Sequence, residues 1–212
     1  MRIFRPATAL LLLAAQTGYA ADNQQALFAG YIGSPSYRAI LQKAYNDAEP
    51  TVLKAQCPAL TVVSFAAPEI VETPAFARAG AGWTTQSGAW VATATVNRCG
   101  TNVIRRLLVE TRSDNTLRTR GLIPGEYAGG FKLEESARGF VSMSMLIVTD
   151  CKDWKSFVLL DTRLRTKPSR QGWAETWTGR MCGKTVTANV DYVPEPTATG
   201  GFDVRTNNVK AH

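Results

Sequence analysis

Residues Gly172 to Tyr192 read GWAETWTGRMCGKTVTANVDY, and the reading of this stretch decides the fold. Two segments rich in β-branched and aromatic residues flank Cys182-Gly183, so the stretch reads as a β-hairpin with a cysteine in its turn. An earlier segment repeats it 83 residues back, pairing Trp90 with Trp173, Thr93 with Thr176, Thr95 with Thr178, Cys99 with Cys182, Gly100 with Gly183 and Val103 with Val186. These are six identities in 14 ungapped positions, and they include the tryptophan and the whole Cys-Gly pair. The expectation is an α+β domain: an antiparallel β-rich fold of two related hairpin-containing halves, stapled by disulfides, with an N-terminal helix packed on the sheet.

The repeat bears on the four cysteines, Cys57, Cys99, Cys151 and Cys182. An even count behind an export leader reads as a disulfide framework, with three possible connectivities. Pairing Cys57 with Cys99 and Cys151 with Cys182 keeps each bridge inside one half, and this is the pairing the repeat favours. The absence of any Cys-x-x-Cys spacing leaves a redox motif and a zinc ribbon without support.

Side chains alternate along a strand, so Trp173, Glu175 and Trp177 share one face. Two indoles flanking a carboxylate would suit a sugar ring or a cationic group, which makes these three the candidate ligand-binding residues. The competing reading is a packed core, with Glu175 paired to Arg163 or Arg165 on the preceding strand. Only the tryptophan recurs in the first copy, where Ala92 and Ala94 follow Trp90 on that face, and this favours packing.

Working outward, Ser34-Pro35 is a helix start, with serine as N-cap and proline at the first helical position. Tyr37, Ile40, Leu41, Ala44 and Tyr45 then define one apolar helical face, and residues 21–50 form the N-terminal helical segment. Residues 51–123 make the first β half, with strands expected over 59–66, 89–97, 101–111 and 116–123. Residues 68–82 read as a loop with a short strand near Ile70-Val71. Proline and three glycines in Pro124–Gly130 mark a soft boundary before the second β half at 131–205. In that half, 133–138 reads as a short helix, and 140–149 and 156–166 read as strands. Phe202 to Arg205 read as one short strand, and residues 206–212 as a frayed tail.

Residues 1–20 carry the three parts of a cleaved signal peptide. Arg2 and Arg5 are the basic start, Ala7–Ala15 the apolar run, and Gly18-Tyr19-Ala20 the small-residue cleavage site. Export to the periplasm or beyond is the expected localisation. No stretch is long and apolar enough to predict a transmembrane helix. Removing Arg2 and Arg5 lowers the formal charge from +7 to +5, a mild basicity compatible with anionic envelope surfaces. The arginines at 98, 105, 106, 112, 118 and 120 fall in strands, without the basic helix or interleaved aromatics of a nucleic-acid binder.

The only histidine is His212, at the last position, which argues against histidine-dependent nucleophilic catalysis and most zinc sites. No catalytic residue, cofactor or metal is assigned. The leading expectation is a non-catalytic exported binding or accessory protein whose partner is a protein or an envelope glycan. A small hydrolase using carboxylates such as Asp150, Asp153, Asp161 or Glu175 is the alternative, and a structural subunit of a secretion or surface assembly is a third. They differ in form: convergent acids in a cleft, an exposed binding patch, or an uncovered sheet edge.

Overall fold

A computed structural model of the chain describes residues 13–80, 82–196 and 201–212. Its helices are α1 (Leu13–Gly33), α2 (Pro35–Ala48), the single-turn α3 (Thr51–Lys54) and α4 (Phe131–Thr149). Its strands are β1 (Leu60–Phe65), β2 (Glu69–Ala79), β3 (Gly82–Arg98), β4 (Thr101–Thr111) and β5 (Leu117–Gly121), then β6 (Val158–Ser169), β7 (Gly172–Met181), β8 (Lys184–Pro194) and β9 (Phe202–Ala211). The first 12 residues of the expected leader lie outside the described residues, and α1 runs through the position expected for cleavage. Among the described residues no helix is long and apolar enough to cross a membrane.

Among the described residues all strand pairing is antiparallel, in two sheets. In the first, the long β3 pairs with β4 along one side and with both β1 and β2 along the other, and β5 extends beyond β4. The second is a meander in the order β6-β7-β8-β9. The two cysteine turns share one conformation: φ is 45° at Cys99 and 89° at Gly100, and 46° at Cys182 and 79° at Gly183. Positive φ at both central residues of a two-residue loop matches the right-handed strand twist. The disulfides join Cys57 to Cys99 and Cys151 to Cys182, so each bridge ties a hairpin tip to the segment that follows a helix.

Each sheet carries a helix over one face. On the first, Tyr37, Leu41, Ala44 and Tyr45 of α2 pack with Trp90, Ala92, Leu107 and Val109, and Phe28 of α1 lies edge-on to Trp90. Ser34 caps α2 as its sequence implies, accepting from the Tyr37 N–H at 3.2 Å, while Ile40 remains exposed. On the second, Ala137, Val141 and Met145 of α4 cover Trp177, Met181, Val186 and Val190.

Several sequence expectations are corrected. Residues 140–149, read as a strand, belong to the 19-residue α4. Apolar residues occupy both faces of that helix, so its 3.6-residue period is hidden. Residues 206–211, read as frayed, complete β9, and the His212 N–H donates to Thr185 O at 2.8 Å. A register shift opposite Asn189, with φ of 49° at Asn208, breaks the alternation that would have announced this second part of the strand. The presumed loop over 68–82 contains β2, whose register shifts around Pro74 accommodate a residue with no N–H to donate.

The segment joining the sheets is buried. Leu122, Ile123, Pro124 and Gly125 have little exposure, and the Gly125 N–H donates to Ile104 O on β4. On the other side, Glu126 N–H donates to Thr162 O, and Thr162 Oγ1 donates to Pro124 O at 2.6 Å. A β-carbon at Gly125 would lie 2.2 Å from Thr162 O, so only glycine permits this approach.

Candidate functional site: an arginine-lined cleft between the sheets

Trp173, Glu175 and Trp177 share a face of β7, as alternation requires, but that face points inward. All three are buried, with Glu175 and Trp177 fully so. Trp173 Nε1 donates to Glu175 Oε1 at 2.9 Å and Trp177 Nε1 to Glu175 Oε2 at 2.8 Å. Ala128 N–H also donates to Oε1, and Tyr192 Oη to Oε2 at 3.4 Å. Neither Arg163 nor Arg165 reaches this carboxylate; their ion pairs are with Asp161 and Asp191. Trp173 stacks on Tyr192 with ring centroids 4.3 Å apart, leaving no open indole face for a sugar or a cation. Burial raises the pKa of Glu175 above the ordinary glutamate value, and the Ala128 N–H and the two indoles oppose the shift. This is a core polar network of the kind that fixes side-chain orientation.

A cleft of about 680 Å³ opens where the two sheets meet. The end of α2 and the α3 turn contribute Tyr45, Glu49 and Val52, β4 contributes Arg105 and Arg106, and α4 contributes Arg138. Phe157, Leu159 and Arg180 form the opposite side, with Gly183 of the second cysteine turn. Apolar walls carrying a few charged groups are the usual form of a ligand pocket.

Arg105 and Arg106 are adjacent on β4, so alternation sends them to opposite faces of the sheet, and each needs its own anion there. Arg105 grips Glu49 through two hydrogen bonds, Nε to Oε2 at 2.7 Å and Nη2 to Oε1 at 2.9 Å, and Arg98 adds a third at 3.3 Å. Arg106 donates to Glu134 Oε2 at 2.9 Å and lies over the Tyr127 ring, 5.1 Å from its centroid. Glu134 Oε1 also accepts the Ile123 N–H at 2.5 Å, which holds the joining segment in place.

Arg138 and Arg180 are not neutralised in this way. Among the described residues, Arg138 has a 4.0 Å approach to Glu134, which Arg106 already occupies, and a weaker attraction from Glu135, while its Nε is buried without a hydrogen-bond partner. Burial lowers the Arg138 pKa below arginine's ordinary value, and Glu134 opposes that shift. Arg180 donates through Nε to Gly183 O at 3.1 Å, a neutral acceptor. Glu49 is the one carboxylate among the residues lining the cleft, and two arginines already hold it. The cleft therefore carries an excess of guanidinium charge in apolar walls, a setting that favours an incoming anion.

Comparison of the chain with family models, with curated proteins and with solved structures finds no match. Sequence reasoning noticed the arginines on β3 and β4 but missed Glu49, Arg138 and Arg180. The consecutive Arg105-Arg106 within an otherwise apolar strand was the available signal, because burying both demands two partners.

Proposed function

We propose that this chain is an exported, non-catalytic binding or accessory protein of the bacterial envelope or extracellular space. In this reading two related, separately stapled halves hold between them a cleft that takes an acidic group. Envelope glycans and proteins both offer such groups, as carboxylates or phosphates. The leader signature in residues 1–20 supports a periplasmic or secreted setting, and two disulfides suit an oxidising compartment. Support for related halves comes from the repeated Trp…Cys-Gly pattern, the matched turn geometry and the equivalent placement of the bridges.

The observation that carries the binding reading is the surplus of guanidinium charge in the cleft, where Arg138 has no closer carboxylate than Glu134 at 4.0 Å and Arg180 meets a neutral acceptor among the described residues. A carboxylate or phosphate would gain charge-assisted hydrogen bonds from the Arg138 side chain, which is 41% exposed. The hydrolase alternative has less support, since a carboxylate mechanism needs two convergent acids and Glu49 is alone in the cleft. Strand addition has less support too. Edge strand β6 carries Arg163, Arg165, Lys167 and Pro168, residue types that discourage edge pairing.

The test is calorimetric titration of the mature protein with inorganic phosphate and with an oligogalacturonate, each at low and high salt. Binding should weaken with salt, and Arg138→Gln should reduce it at least about tenfold while circular dichroism stays unchanged. Equal affinity of the variant and the parent for both probes would remove the cleft from the function.

A further inference from the structure

The cleft between the sheets has room for more than a bare anion. Its volume of about 680 Å³ falls within the roughly 300–1,000 Å³ of pockets that enclose an organic molecule. An inorganic anion would occupy a small part of it. What surrounds the guanidinium groups of Arg138 and Arg180 therefore decides what kind of acid fills the rest.

Most of that surrounding is apolar. Val52 of the α3 turn lies on one side, Phe157 and Val158 lie on the other, and each is half-buried with some surface left accessible. Leu122 and Leu159 are buried beside them. Strand β7 makes room for the Phe157 ring at Gly179, where a β-carbon would lie 2.9 Å from Phe157 Cε2. Glycine inside a strand marks this kind of close approach, and here it lets the ring settle against the sheet as a wall of the cleft.

Uncharged hydrogen-bonding side chains are scarce. Among the described residues that line the cleft they are Tyr45, Thr51 and Ser156. Tyr45 donates its hydroxyl to Ala92 O at 2.9 Å, and Ser156 donates to Asp153 O and accepts the Cys182 N–H. That leaves Thr51, which is exposed. A sugar carries hydroxyls around its ring and calls for donors, acceptors and an open aromatic face together. Tyr45 is 1% exposed, so Phe157 is the one lining aromatic with a ring to offer. Guanidinium groups only donate, so the polar end of the ligand must be an acceptor, and the walls ask for an apolar body.

We propose that the cleft binds an amphipathic anion: an alkyl or acyl chain ending in a carboxylate or a phosphate. Its head sits at Arg138 and Arg180, and its chain runs along Val52, Phe157 and Val158. This rests on the reading of the cleft as an anion site and adds what the anion is attached to. Head and chain meet different residues, so their contributions separate.

The experiment is calorimetric titration of the mature protein with two ligand series, kept below their micellar concentrations. One runs through acetate, butyrate, hexanoate, octanoate and decanoate. The other is inorganic phosphate and the matching alkyl phosphates, and octanol is the uncharged control. Affinity should rise about twofold or more for each methylene buried, making decanoate at least about 50-fold tighter than butyrate. Arg138→Gln should weaken every anion about tenfold and leave the dependence on chain length unchanged. Val52→Asn should flatten that dependence and leave acetate and inorganic phosphate unaffected, with the circular dichroism of the parent. The head that binds more tightly at equal chain length names the source, a fatty acid or a lipid phosphate, and either result supports the proposal. A flat series in the parent would overturn it and leave the cleft an anion site. So would tighter binding of an oligogalacturonate, or of the peptide Glu-Leu-Glu-Leu-Glu, than of decanoate, since the occupant would then be a glycan or a polypeptide. No binding by any anion, inorganic phosphate included, or octanol binding as tightly as octanoate, would remove the anion site as well.

Discussion

Glu49 and Glu175 are both buried carboxylates, and the two ends of the molecule satisfy them by opposite means. Glu49, beside the first sheet, sits in the grip of Arg105 with Arg98 in support, so its charge is balanced locally. Glu175, inside the second sheet's core, meets two indole N–H groups, a backbone N–H and a tyrosine hydroxyl, none of them charged. The first arrangement spends arginines that face the cleft. The second leaves Arg163 and Arg165 on the surface and uses the carboxylate to orient Trp173 and Trp177. The two sheets have thus placed a buried acidic residue for different ends: one sets the charge of the cleft wall, the other rigidifies a core.

The sharpest way to break this contrast is to remove the balanced carboxylate. Glu49→Ala leaves the buried Arg105 without its counter-ion, and breaking a buried pair from one side typically costs about 3–5 kcal/mol. Adding Arg105→Ala should recover a large part of that loss, because the stranded charge is gone. Urea unfolding of the two single variants and the double variant measures the coupling. Additive losses would mean that Glu49 and Arg105 do not act as a pair.

The disulfides compare the two ends at nearly constant chemistry. Replacing Cys57 and Cys99 together, or Cys151 and Cys182 together, should each cost about 2–5 kcal/mol. The bridged residues are 42 and 31 positions apart, and the logarithmic dependence on loop length separates the two by only about 0.3 kcal/mol. Thermal melts of the two double-alanine proteins should therefore nearly coincide. A wide gap would show that one sheet depends on its staple for more than chain entropy, and would weaken the idea of equivalent halves.

How far the sequence disclosed all this follows from the range of the interactions involved. The helix α2 was legible because its signals are local: Ser34 and Pro35 start it, and Tyr37, Leu41, Ala44 and Tyr45 mark one face. The cysteine pairing was legible because the repeat placed each partner within its own segment. The helix α4 was not, because apolar residues on both of its faces erase the period that reveals a helix. Strand β9 was legible only over Phe202 to Arg205, and a register shift near Asn207-Asn208 hid the rest. The cleft was hidden for a different reason. Arg138 and Arg180 are about forty residues apart on separate elements, and what unites them is how two sheets meet around Gly125. Trp173, Glu175 and Trp177 were legible as a shared face, but alternation alone does not say which side of a sheet is wet.

The smallest expected effect is also the most direct probe of the uncharged arrangement around Glu175. Its pKa is raised in the folded protein, chiefly by burial, so the folded state binds that proton more tightly than the unfolded chain does. The stabilisation from the protonated group is then fully present below the ordinary glutamate pKa of about 4.3 and is lost as pH rises through the raised value. In Glu175→Gln this contribution cannot titrate. Stability measured in steps between about pH 4 and about pH 8 should fall less with rising pH in the variant than in the parent, whatever the other carboxylates contribute in common. The variant also turns one amide N–H₂ toward N–H and O–H donors, so its curve should lie lower at acid pH, where the parent's protonated carboxyl has a hydroxyl hydrogen that can rotate away. Parallel curves would show that Glu175 holds the same protonation in both states, and the uncharged donors around it would then be offsetting the whole penalty of its burial.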